Sequence, residues 1–514
     1  MNYINLISKA ISNTFFISLQ WVSSILISFL YWIVIVKNLL PQDYGIISTS
    51  VNLMMMLGSI SMFGFDTAIT KLIPEYSKQK QEEKIIGLIK FSTKIISIFN
   101  LILILIMLLF SPFFATILKI SQDTVWIIGI GFTTFSYFYL TSSILYGYQN
   151  MREIFKTKLI GDIIRLFLSS ILIFVGIYLS KSNFPFSYYG PLIGTILGFL
   201  IISLLRYDVF KFKKCTNYLH IKDIVFKYSF HAFVATLALL IFNNVPYVIL
   251  TILKTPEITG FFSTAMTVAS PILLVPTILN SASFPLISQL CVEKNAKKKQ
   301  AYVINNLFRY CLFLLLPFAV FLILFSRELI LLFAKSEYLL ATPLFPILGP
   351  ALIIFGCGNI FLSSLYAIRK PKINRNIMGL TSILFLVSSI PLTYLFSSYG
   401  LSLAFLISVT ILMLSSYYYS KKYLSLKIPI RNILKIFISS AIFLLICYFA
   451  ESLSINFIIK LIIVVFAFFL YLLVLLFLKF YRMDDVKILE FLGNRIPFFG
   501  CYVLVIAGFL KNRL

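Results

Sequence analysis

The sequence predicts an all-α polytopic membrane protein of about fourteen transmembrane helices, built as two six-helix lobes followed by two further helices. Three observations predict it. Apolar residues make up 60% of the 514 positions and charged residues 12%, against about 45–50% and about 25% in soluble globular domains. The apolar runs are continuous, as over 95–110 and 455–478, and lack the period-two alternation of a membrane β-barrel. Finally, lysine and arginine crowd into alternate connections.

A hydrocarbon core about 30 Å thick takes about 20 apolar residues per helix. Runs bounded by Lys, Arg, Pro, Gly or Asp place helices near 14–36, 44–65, 86–110, 125–148, 159–179, 187–206 and 228–250. They continue near 258–287, 307–326, 339–366, 377–397, 400–420, 432–450 and 456–478. The first run is too long for the apolar region of a cleaved signal peptide and fits a retained span. With these helices, 33 of the 44 basic residues fall on one side of the membrane, 7 on the other and 4 inside helices. Short loops rich in Lys and Arg are cytoplasmic, so both termini are expected in the cytoplasm of a multi-pass plasma-membrane protein. The formal charge of +26 is then mostly topological and calls for no nucleic-acid partner. The tail after Tyr481 is polar at Asp484, Asp485 and Glu490, and then apolar over 496–510. That run is too short to span comfortably and suits the interface.

Six scattered cysteines without a Cys-x-x-Cys pair, and two histidines, support neither a zinc site nor a disulfide framework. No Gly-x-x-x-x-Gly-Lys-Ser/Thr loop occurs, so ATP is not the direct energy source, and no cofactor or metal is expected.

The chain aligns with itself at an offset of 215. Pro41-Gln42-Asp43-Tyr44-Gly45-Ile46-Ile47-Ser48-Thr49 matches Pro256-Glu257-Ile258-Thr259-Gly260-Phe261-Phe262-Ser263-Thr264 at Pro, Gly, Ser and Thr, and the register carries Lys94 onto Arg309. Both copies fall in the outward turn after the first helix of a six-helix block. Six is even, so the blocks share an orientation and are related by an axis along the membrane normal, a recurring transporter design. Four units follow: an N-terminal lobe over 1–215, a second lobe over 216–425, helices thirteen and fourteen over 426–481, and a tail over 482–514. A Pro-x-x-x-Gly turn also has a purely structural reading, since Pro starts a helix and Gly permits close packing.

These residues resemble the polysaccharide-biosynthesis flippases, the translocases of O-antigen and lipid-linked oligosaccharides. Lys37-Asn38-Leu39-Leu40-Pro41-Gln42-Asp43-Tyr44-Gly45-Ile46 is similar to that family's signature at the end of the first helix. Gly64-Phe65-Asp66-Thr67-Ala68-Ile69-Thr70-Lys71 is similar to its segment ending the second. Gly260-Phe261-Phe262-Ser263-Thr264-Ala265 and Pro285-Leu286-Ile287-Ser288 resemble its elements in the second lobe. The chain departs from the family in the seventh helix, where many members carry an Asp and this chain reads Asn243-Asn244-Val245-Pro246, and at Lys37, where Arg is usual. The resemblance implies the fold of multidrug extruders and lipid II flippases, with alternating access around a central cavity. It implies a transporter, not an enzyme, that flips a polyprenyl phosphate- or diphosphate-linked oligosaccharide for surface glycan assembly. The implied partners are that substrate, membrane lipids, H⁺ or Na⁺, and a glycan polymerase or ligase.

A phosphorylated headgroup needs fixed cations within the bilayer, where an unpaired charge costs at least about 2.5–3.5 kcal/mol. The four basic residues inside the expected helices are therefore the candidates for phosphate contact: Lys90 and Lys94, four apart on the third helix, Arg309, the repeat mate of Lys94, and Arg165, three residues after Asp162. Lys94 and Arg309 could instead snorkel to the interface, and Asp162 could pair locally with Arg165. Asn243, Asn244 and Pro246 form a candidate hinge or cavity lining, with helix-to-helix glue as the plainer role for the amides. A multidrug or cation antiporter on the same fold would need intramembrane carboxylates, for which Asp162 and Asp66 are available. A membrane glycosyltransferase or polymerase would need acidic metal-binding motifs or a long outward loop, and the sequence offers neither.

Overall fold

The computed structural model describes residues 3–179, 186–210, 222–292, 295–368, 370–424, 426, 430–453, 455–493, 504, 507, 508 and 511. Every regular element among them is helical. α1 (Tyr3–Asn38) runs to the Lys-poor end of the bundle, and Pro41 then opens α2 (Pro41–Ser61) at its first position, where a missing N–H costs nothing. α2 stops at Phe63 (φ 45°) and Gly64 (φ 74°), and α3 (Phe65–Lys78) leaves at a 50° bend. α4 (Glu82–Leu109), α5 (Ser111–Leu118), α6 (Gln122–Gly147), α7 (Met151–Leu179) and α8 (Phe186–Leu205) follow. The Ser121 hydroxyl accepts the Thr124 N–H at 3.2 Å and starts α6.

The next group comprises α9 (Lys222–Asn243), α10 (Val245–Leu253), α11 (Pro256–Ala269), α12 (Leu274–Gln289), α13 (Ala296–Leu324), α14 (Ser326–Phe333), α15 (Phe345–Ala367) and α16 (Pro371–Leu424). α9 and α10 meet at a 50° bend at Asn244. α16 consists of two helical arms joined at Ser397, whose backbone is out of helical geometry (φ 57°, ψ −136°). Phe385 and Phe405, on either side of that residue, have ring centroids 6.4 Å apart, where a straight helix would separate them by about 30 Å. The segment is a hairpin. α17 (Ile430–Ser452), α18 (Phe457–Phe477) and the short α19 (Met483–Gly493) close the described chain. Phe466 and Phe469 on α18 are exposed, as a lipid-facing surface requires.

Eleven of these helices are long and apolar enough to cross a membrane, or thirteen with each bent pair taken as one span. The sequence gives about fourteen, and α16 enters the structural count once where the sequence reading has two spans. The short α19 was not foreseen. The apolar run at 496–510 lies mostly outside the described residues.

α1 to α8 pack chiefly on one another, as do α9 to α16, giving two lobes. They meet through α2 and α11, the two helices that begin with the repeated turn. A Cβ on Gly45 would lie 1.7 Å from the Pro256 carbonyl oxygen, and one on Gly260 would lie 2.0 Å from that of Pro41. The two turns thus cross backbone to backbone about a local twofold. Ser48 and its repeat mate Ser263 share a hydrogen bond of 2.8 Å at this crossing. Thr49 bonds Thr251 at 2.6 Å, and Thr251 bonds Thr259 at 2.8 Å. A run of edge-on rings from Tyr31 through Trp32 and Tyr44 to Tyr338, with centroids 4.9, 5.4 and 6.2 Å apart, carries the core across the junction. Near the Lys-rich end the lobes touch again. There the ring of Phe63 stacks on Phe233 of α9 at 4.7 Å, and a Cβ on Gly64 would lie 2.2 Å from the Ser229 carbonyl oxygen.

A methyl group at either crossing glycine therefore has to push two backbones apart. Gly45→Ala and Gly260→Ala are each expected to cost at least about 3 kcal/mol, the upper part of the range for overpacking, and to lower the melting temperature of the detergent-purified protein. Gly379→Ala, with nothing within 4 Å of the added Cβ, should leave it unchanged.

Candidate functional site

α7 carries Lys158, Asp162 and Arg165 at i, i+4 and i+7, one face of a helix, and that face is turned to α1. Lys158 Nζ pairs with Asp162 Oδ1 at 2.5 Å, and Ser24 of α1 donates to Asp162 Oδ2 at 2.8 Å. One turn on, Arg165 Nη2 donates to the Ser28 hydroxyl at 2.8 Å. Its guanidinium lies 4.5 Å from the centroid of the Tyr31 ring. The Tyr31 hydroxyl continues to Thr195 of α8 at 2.8 Å. At the other end of the same face, Arg206 donates to Thr157 at 2.8 Å and to Ser142 at 2.6 Å. Glycines make room for this ladder: a Cβ on Gly198 would lie 2.8 Å from Arg165 Cβ, and one on Gly194 would lie 2.2 Å from the Ser169 hydroxyl.

Lys158 and Asp162 cancel, which leaves Arg165 as a net positive charge at the midpoint of α7. It is 8% exposed, and its Nε has no hydrogen-bond partner. Ser24 and Ser28, which cover the ladder from α1, are half-buried. An arrangement of this kind can receive an anion: a planar, permanently charged donor in a low-dielectric slot with spare N–H capacity.

The structure brings Asp162 and Arg165 of the expected set together and separates the others. Lys94 is exposed on α4 and Lys90 half-buried on the same helix. Arg309 is 1% exposed and faces the tail, where Nη2 pairs with the Asp485 carboxylate and lies 3.0 Å from the Tyr310 hydroxyl. Its guanidinium sits 5.1 Å from the Phe480 ring centroid, and Nε and Nη1 are without partners. Asp485 looks isolated in the sequence, but it is 7% exposed and also accepts the Arg482 N–H at 2.8 Å. Asn243 and Pro246 line a cavity of about 180 Å³ in the second lobe with Tyr247, Phe262 and Phe405. Asn244 reaches across to the first lobe and donates to Asn52 Oδ1 at 3.2 Å.

Sequence reasoning missed Lys158 and Arg206, which a count of loop charges assigns to the cytoplasmic surface. Both are held in the lobe interior. For Lys158 the signal was available in its spacing of four and seven residues from Asp162 and Arg165. For Arg206, whose partners lie on α6 and α7, there was none.

Comparison with known proteins places the chain in a family. A family model described as polysaccharide biosynthesis protein matches residues 10–291. An uncharacterized membrane protein of Methanocaldococcus jannaschii is 22% identical over 364 residues, 67% of this chain and 71% of its own length. The solved lipid II flippase MurJ, in an inward closed conformation, superposes with a TM-score of 0.71 at 17% identity, covering 89% of this chain and 97% of that one. A multidrug resistance MATE family transporter of the MOP superfamily, facing inward, gives 0.57 at 14% identity, covering 78% and 94%. A MOP superfamily transporter from Pyrococcus furiosus gives 0.53 at 14% identity, covering 80% and 95%. The fold is thus that of the lipid II flippase and the MATE transporters, and by the match over more than half of its length the chain belongs to the polysaccharide biosynthesis protein family.

Proposed function

We propose that this chain flips a lipid-linked oligosaccharide, carrying its polyprenyl phosphate or diphosphate headgroup from the cytoplasmic to the outer leaflet by alternating access. Family membership and the flippase-like fold support the transport class. The observation that carries the substrate class is Arg165: a guanidinium at the midpoint of α7, its nearest carboxylate already neutralised by Lys158, with a buried Nε that has no hydrogen-bond partner. An anion entering there offsets the cost of holding that charge in hydrocarbon, and Arg can grip phosphate oxygens in two places at once. Lys158 and Ser24 fix Asp162 so that it does not compete. Lys90, Lys94 and Arg309 remain secondary candidates, and Asn244 with Pro246 supplies the bend about which α9 and α10 can move. An H⁺ or Na⁺ gradient would drive the cycle, and a glycan polymerase or ligase would consume the flipped product.

One observation favours a second reading, cation-coupled drug export. Asp66, next to the bend after α2, has a buried Oδ1 without a partner and lines a cavity of about 370 Å³ with Thr70, Lys71, Tyr139 and Tyr146.

Transport of a fluorescent polyprenyl-diphosphate glycan in proteoliposomes separates the two. Arg165→Ala is expected to slow it by about tenfold or more, as befits a charged hydrogen bond, with Arg165→Lys retaining part of the rate because the charge survives without the fork. Unchanged flipping in both variants, together with proton-linked dye efflux that Asp66→Asn abolishes, would decide for export. Reporter domains fused at either terminus should remain inaccessible from outside intact cells, in keeping with basic loops on the cytoplasmic side.

A further inference from the structure

We propose that Lys119 and Lys335 are a matched pair of latches that hold the Lys-poor end of the transporter shut. Lys119 sits in the left-handed region (φ 54°) at the end of α5 in the first lobe, and its Nζ donates to the carbonyl of Lys254, at the end of α10 in the second. Lys335 lies just before the 3-10 segment Ser336–Leu344 of the second lobe, and its Nζ donates at 2.9 Å to the carbonyl of Asn38, at the end of α1 in the first. The donors are 216 positions apart, and so are the acceptors. Each lobe therefore reaches into the other with the same residue type, within one residue of the same place in the 215-residue repeat, onto the same kind of target.

The target is chemically apt. The last carbonyls of a helix lack intrahelical partners and carry the negative end of its dipole, so an ammonium both satisfies the oxygen and neutralises the helix end. Two further lysines among the 7 basic residues of this face make the same kind of contact. Lys254 donates to the Tyr394 carbonyl at 2.9 Å, near the end of the first arm of α16, and Lys460 donates to the Glu451 carbonyl at 3.0 Å, near the end of α17. Those two contacts stay within the second half of the chain. The Lys119 and Lys335 contacts cross between lobes and flank the Gly45–Gly260 crossing.

A latch must release. Lys119 is exposed and Lys335 half-buried, so each ammonium can exchange its carbonyl for water, and the net loss is that of one hydrogen bond. The backbone crossing is a matter of fit that is kept or lost as a whole, whereas these contacts tune the equilibrium between a closed and an open Lys-poor end. The proposal rests on the reading that the lobes part there during transport.

The test is the rate at which a membrane-impermeant maleimide, added from the Lys-poor side, modifies Ser48→Cys in the full-length protein, scored by mass spectrometry of that peptide so that native cysteines do not interfere. Ser48 is 3% exposed and packed on Ser263, so modification reports opening. Lys119→Met and Lys335→Met should each speed it by about threefold and together by about tenfold, the loss of one and of two net hydrogen bonds. Arginine at both positions should restore the parent rate. A double methionine variant that labels as slowly as the parent overturns the proposal, as does a rise that arginine fails to reverse. Labelling needs no substrate, so its failure leaves the flippase reading standing, and a failure to flip glycan leaves the latch measurable.

Discussion

The architecture depends on one steric fact: at the Lys-poor end two helices begin with no side chain between them. Gly45 and Gly260 bring the backbones of α2 and α11 together so closely that each carries the other's first-turn carbonyl against its Cα. Without a hydrophobic driving force between helices in lipid, association relies on such close packing and on interhelical hydrogen bonds. The crossing provides both, because it sets Ser48 on Ser263 and aligns the threonines and Asn52 with their partners across the lobes. It also makes the two lobes equivalent at that point, so any contact one lobe makes near the axis is available to the other. The junction near the Lys-rich end has no such mate. It consists of the Phe63–Phe233 stack and the left-handed Gly64 against α9, and it joins the lobes by shape and aromatic area instead of by symmetry.

Charge inside the bundle follows a different logic. Intramembrane ions are tolerated when paired or when they serve a pathway, and several of those in the structure are paired. Lys460 with Glu328 at 2.9 Å, Lys158 with Asp162 and Arg309 with Asp485 are pairs, each tying two positions of the fold. Arg165 and Arg206 are hydrogen-bonded to hydroxyls and lie over aromatic faces, with Glu153 acting on Arg206 through space. Both arginines lie in the first lobe, where the proposed anion contact is placed.

Much of the fold was legible in the sequence because bilayer thickness, helix rise and loop charge act on every span alike. Positions of runs such as 86–110 and 432–450 differ from α4 and α17 by only a few residues. The repeated Pro-x-x-x-Gly turn was legible as a motif, though not as a contact between its two copies, since pattern alone cannot say which surfaces meet. The site was half legible. Asp162 and Arg165 stood out as charges in an apolar run, whereas Lys158 lay one residue before an expected helix and Arg206 at the last residue of another, where snorkelling is the ordinary outcome. The repeat mates Lys94 and Arg309 show the limit of symmetry: one is exposed and the other is taken by Asp485, a residue the repeat does not contain.

That last pair bears on the order in which the protein is made. Arg309 is buried in α13 and neutralised by a carboxylate 176 residues later in the chain. During synthesis the helix is inserted long before its counter-ion exists, so the guanidinium must stay hydrated at the membrane surface, or α13 must sit high in the bilayer, until residue 485 leaves the ribosome. A chain cut short before Asp485 would therefore leave Arg309 without its carboxylate, a local defect in a helix far upstream of the break.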